Sequence, residues 1–104
     1  MLQLIKNLLG LGPKTDFKAL VEKGAVIVDV RSKGEYQSGH IQGAVNIPLD
    51  ILRSQLSKLK KEKPVITCCA SGMRSASAKN ILISGGFKDV YNGGGWMSLR
   101  NKIN

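Results

Sequence analysis

The chain has 104 residues, 42% of them hydrophobic, and a formal charge of +9 from 16 Lys and Arg against 7 Asp and Glu. That length holds one hydrophobic core and excludes a second, and the apolar stretches are too short and too broken by charge to span a bilayer. The charge favours anionic small molecules or acidic proteins as partners. Nucleic acid is set aside, because the densest cationic run, Lys58 to Lys63, contains no aromatic and no nucleic-acid-binding signature accompanies it.

At the start, Met1, Leu4, Ile5, Leu8 and Leu11 fall on one side of a short helix. Lys6 and Asn7 split the apolar run and no small-residue cleavage site follows, unlike a secretory signal. Residues 1–12 are therefore expected to be a short apolar extension, and 13–104 the domain itself. Thr15 is placed as the cap of a helix reaching Lys23, which Gly24 ends. Ala25 to Val30 is a β-branched run suited to a buried parallel strand. Ser32 and Glu35 have capping-box spacing and open a short helix ending at Gly39. Asn46 to Pro48 is extended, and Asp50 is placed as the cap of a helix that turns Ile51, Leu52, Leu56 and Leu59 inward.

Pro64 breaks that helix, and Val65 to Cys68 is a second buried strand. Small residues from Cys69 to Ser75 precede a helix that Gly85 and Gly86 terminate. Phe87 to Tyr91 is predicted as a third strand, Gly93 to Gly95 as a turn, and Trp96 to Ile103 as a final helix. Strands alternating with helices predict an α/β domain with a mainly parallel sheet, whose ligands bind beyond the carboxyl ends of the strands.

The turn carrying Cys69 lies at such an end. Gly72 lets the backbone curl, so that successive N–H groups and the following helix dipole point at one spot. A cysteine there loses its proton more readily than a free one, whose pKa is about 8.5. Arg74 closes the turn with a permanent charge, placed to bind an incoming anion or the thiolate. Cys68 and Cys69 are neighbours, so a disulfide between them is strained, and with one His they make no usual zinc spacing. Free thiols point to a reducing compartment, the cytoplasm.

Three segments, in order, carry a resemblance. Val65 to Ser75, with Cys69, four residues and Arg74, resembles the active-site loop of rhodanese-like domains. Asp29 to Pro48 resembles the same family's upstream signature, and Tyr91 to Trp96 its C-terminal glycine turn. The resemblance implies a five-stranded parallel sheet flanked by helices and a sulfurtransferase reaction. In it, Cys69 takes a sulfane sulfur from thiosulfate or a protein persulfide and passes it to a thiol or other thiophilic acceptor. The backbone of Ala70, Ser71, Gly72, Met73 and Arg74 then holds the persulfide, and neither metal nor organic cofactor is required.

The remaining polar residues are expected to be structural. Asp29, Arg31 and Glu35 would tie the first strand to the turn after it; His40 and Trp96 would serve the architecture; Cys68, on the opposite side of the strand from Cys69, would fill the core. Two rivals remain: a phosphatase or arsenate reductase, whose Cys-x5-Arg spacing is met by counting from Cys68 to Arg74, and a non-catalytic binding module.

Overall fold

The computed structural model describes residues 15–104; the extension expected at residues 1–12 lies outside the described residues. In chain order the elements are α1 (Phe17–Glu22), β1 (Val26–Asp29), α2 (Lys33–Ser38), β2 (Val45–Asn46), α3 (Leu49–Leu52), a 3₁₀ segment (Arg53–Lys58), β3 (Val65–Cys69), α4 (Met73–Ser84), β4 (Val90–Gly95) and α5 (Trp96–Ile103). The sheet order is β2-β1-β3-β4 and every pairing is parallel. The α/β sandwich expected from the alternating pattern is therefore present. Among the described residues it has four strands rather than five, because only four segments find a parallel partner for their backbone groups.

The β-branched run of β1 and the Val65-Ile66-Thr67 run of β3 are buried on both faces, as interior parallel strands must be. Side chains alternate across them and build two cores. Val28, Val30, Val65 and Cys69 pack with Leu52, Ala78 and Leu82 from α3 and α4. Ile27, Ile66 and Cys68 pack on the other face with Phe17, Trp96 and Leu99 from α1 and α5.

Several boundaries differ from the sequence reading. Asp16, not Thr15, caps α1, its carboxylate accepting from the Ala19 amide at 3.0 Å. Pro48, with no N–H to satisfy, stands at the cap position of α3, and Asp50 lies in its first turn. Leu49 takes an inward place, while Ile51 remains 45% exposed. The largest shift is at the end of the sheet. The segment predicted as a strand from Phe87 begins pairing only at Val90, and the glycines read as a turn are strand. Phe87 is instead buried beneath the sheet. Gly93 is required for close approach, since a Cβ there would meet Thr67 O at 2.7 Å and the Ile66 and Leu99 side chains at 2.8 Å. A register shift between Thr67 and Cys69 lets β4 carry one more residue than β3 at this point.

Candidate active site

β3 extends one residue further than predicted, so Cys69 is its last residue and Ala70, Ser71 and Gly72 make the whole connection to α4. Gly72 has φ +111°, a conformation side chains resist, and its tight turn aims the first amides of α4 back at the strand end. The amides of Gly72 and Ser75 donate to Cys69 Sγ at 3.0 and 3.3 Å. Ser75 Oγ lies 3.5 Å from the same sulfur, 3.0 Å from Gly72 O and 2.6 Å from Asn92 Oδ1. Its single proton can serve only one of these at a time: a Cys69 thiol donates to Ser75 Oγ, and a thiolate draws the hydroxyl toward itself. Thr67 Oγ1 holds the Ser75 carbonyl at 2.8 Å, and Asn92 Oδ1 accepts also from the Gly94 amide at 2.9 Å. Ser75 is fully buried, so the arrangement is fixed by packing.

The two cysteines are chemically separated by this geometry. Burial pushes the Cys69 thiol up, but the Ser75 hydroxyl and the amides of Ser75, Gly72 and Ser71 outweigh it, and its pKa falls below the ordinary 9.0. Burial, aided by the nearby Asp29 carboxylate, pushes Cys68 up to about 12. Cys68 faces the Trp96 side of the sheet, away from the amide cradle. A Cys-x5-Arg loop starting at Cys68 therefore has its sulfur on the wrong face.

Ala70, Ser71 and Met73 are exposed, Met73 by 81%. Arg74, which the sequence reading had binding an incoming anion or the thiolate, is paired with a carboxylate. Its Nη1 and Nη2 donate to Glu35 Oε1 and Oε2 at 2.7 and 3.0 Å. Glu35 also accepts from the Ser32 amide at 3.0 Å, completing the capping box of α2. The Arg74 guanidinium, with the Ser32 contacts, holds the Glu35 carboxyl down at about 2. The expected tie between Asp29, Arg31 and Glu35 is thus divided. Arg31 is bidentate on Asp29 at 2.8 and 3.0 Å, and it reaches Glu35 only through the main-chain oxygen at 3.3 Å. A cavity of about 610 Å³ opens beside Arg74, lined also by Val30, Lys33, Leu49, Asp50 and Ile51. Cys69 does not line it but packs beneath with Val30.

His40 stacks on Tyr36 with ring centroids 3.7 Å apart and its Nδ1 bonds Tyr36 O at 2.7 Å. Trp96 is buried with the Arg31 guanidinium 4.7 Å over its ring. Ser75 and Asn92 were not singled out from sequence. The available signal was spacing: with the helix starting at Met73, Ser75 holds its third position, where an amide has no helical acceptor.

The sequence model of the rhodanese-like domain matches residues 13–102. The chain belongs to that family. Among the relatives of this rhodanese-like domain, the thiosulfate sulfurtransferase GlpE of Pseudomonas savastanoi pv. phaseolicola is 37% identical over 87 residues, 84% of this chain and 82% of GlpE. A solved rhodanese with anions from E. coli superposes with a TM-score of 0.68 at 35% identity, covering 72% of this chain and 91% of that one. The human single-domain sulfurtransferase TSTD1 gives a TM-score of 0.70 at 29% identity, covering 83% and 90%. Among the described residues no helix of the rhodanese-like domain is long and apolar enough to cross a membrane.

Proposed function

We propose that this rhodanese-like domain carries a sulfane sulfur on Cys69 and passes it from a thiosulfate or persulfide donor to a thiophilic acceptor. Its class as a sulfurtransferase follows from the family and from relatives named thiosulfate sulfurtransferase over most of its length. The observation that carries the Cys69 assignment is the convergence of the Gly72 and Ser75 amides on its sulfur at the start of α4.

In the first step the Cys69 thiolate attacks the outer sulfur of thiosulfate. A sulfur–sulfur bond forms as that of the donor breaks, and sulfite leaves with the electron pair. With an organic persulfide the leaving group is the thiolate. In the second step the acceptor, cyanide or a thiol, attacks the outer sulfur of the enzyme persulfide and Cys69 departs as thiolate. One difficult transfer becomes two displacements, each with a good leaving group. The amides of Ser71, Gly72 and Ser75 favour the thiolate both as nucleophile and as leaving group. Ala70 to Arg74 line the loop over which donor and acceptor approach, and no cofactor enters either step. Two free cysteines that cannot bridge each other support a reducing compartment, the cytoplasm.

The test is intact-protein mass after incubation with thiosulfate. One added sulfur is expected in wild type and in Cys68→Ala, and none in Cys69→Ser. Sulfur added equally to Cys69→Ser would overturn the assignment. Hydrolysis of an aryl phosphate that is lost with Cys68→Ala would favour the phosphatase reading instead.

A further inference from the structure

The loop that presents Cys69 has no charge without a counter-ion beside it. Ala70, Ser71, Gly72 and Met73 are neutral, and each arm of the Arg74 guanidinium donates one N–H to Glu35, which balances its charge. This pairing is built in rather than incidental. Glu35 receives three hydrogen bonds, one of them from the Ser32 amide, so its carboxylate is positioned independently of Arg74. Helix α2, which carries it, is pinned from below. The buried Arg31 donates to the main-chain oxygens of Glu35 and Gly39 at 3.3 and 2.7 Å while anchored on Asp29. The adjoining cavity repeats the balance, with Lys33 and Asp50 on its lining and apolar surface from Val30, Leu49 and Ile51 between them.

Resting on the sulfurtransferase reading, we infer that Glu35 sets donor selectivity: by occupying Arg74 it disfavours a small dianion such as thiosulfate and favours an organic persulfide with an uncharged, apolar body. A dianion approaching the loop meets a carboxylate beside the only arginine there, and can have the guanidinium's fork only by displacing the fork-on-fork pair. An uncharged alkyl or peptidyl persulfide meets no such repulsion, and the apolar surface of Val30, Leu49 and Ile51 next to Arg74 is available to its carbon part. The transfer itself is unchanged: Cys69 thiolate attacks the outer persulfide sulfur and the organic thiolate leaves.

Glu35→Gln tests this, because Gln keeps the capping-box geometry of α2 while removing the charge. Two donors are compared on wild type and variant by the rate of sulfur addition to Cys69: thiosulfate, and the persulfide of N-acetylcysteine methyl ester. In Glu35→Gln the KM for thiosulfate is expected to fall, raising the ratio of kcat/KM for thiosulfate over the ester persulfide about fivefold, the scale of an exposed charge contact. A ratio that is unchanged or lower, in a variant with wild-type circular dichroism, would overturn the role of Glu35. Failure of both donors to load Cys69 in wild type would overturn the sulfurtransferase reading itself.

Discussion

Ser75→Ala isolates one donor of the sulfur cradle. The substitution removes the hydroxyl 3.5 Å from Cys69 Sγ but leaves the residue-75 amide at 3.3 Å and the Gly72 amide at 3.0 Å. A hydrogen bond to a charged group contributes about 1.5–3 kcal/mol, and the long contact here argues for the lower end. A loss of about 1.5 kcal/mol corresponds to about a tenfold fall in the thiolate-to-thiol ratio at fixed pH. The fold should survive, because Asn92 Oδ1 keeps the Gly94 amide at 2.9 Å and the deleted group is a single oxygen. The assay is the pH dependence of iodoacetamide alkylation at Cys69, followed by peptide mass. The midpoint should move upward toward the ordinary 9.0, and persulfide formation at pH 7 should slow in proportion. The sign in stability is also defined. A depressed thiol pKa stabilises the native state above the ordinary value, and that contribution is lost as pH falls through the native midpoint. Ser75→Ala should narrow this window. An alkylation midpoint identical to wild type would refute the claim that the hydroxyl serves the sulfur.

Other outcomes follow from separate features. Gly93→Ala would put a methyl 2.7 Å from Thr67 O and 2.8 Å from two core side chains, so a stability loss of about 1–3 kcal/mol is expected in urea unfolding; a wild-type midpoint would contradict the packing. Cys68→Ala removes a buried sulfur from the Trp96 side and should cost about 1 kcal/mol or less while leaving Cys69 fully persulfidable. Glu35, held at about 2 against an ordinary 4.5, stabilises the native state above pH 4.5, and this is lost as pH falls toward 2. Acid unfolding of Glu35→Gln should lack that segment of the curve, and an unaltered acid limb would show the pair to be energetically idle.

The alternation of strand and helix was legible because β1 and β3 are dense in β-branched residues and helices α2 and α4 have local punctuation, a capping box at one and paired glycines after the other. Cys69, the proposed nucleophile, was legible as a candidate because it stands between a buried run and a small-residue turn. What failed to show were the long-range terms. Gly93 and Gly95 looked like a turn because glycine's usual signal is conformational; here it is steric, set by Thr67 and Ala70 from neighbouring segments. Arg74 looked unpaired because its partner is 39 residues away in the chain. Asn92 reads as an ordinary turn residue until β4 is laid beside β3, which brings its amide group to the hydroxyl of Ser75.

The placement of Cys68 and Cys69 on opposite faces of one interior strand bears on how the protein meets oxidants. Together they are all the thiols in the chain, and the thickness of the sheet keeps their sulfurs from meeting. An oxidised Cys69 thus has no internal partner to trap it as a disulfide, so a sulfenic acid formed there waits on a thiol from outside or advances to the irreversible sulfinic state. Repair, like the unloading of sulfur in the proposed reaction, is handed to another molecule. With its two thiols on opposite faces of β3, the chain depends on its surroundings to reverse oxidation at Cys69.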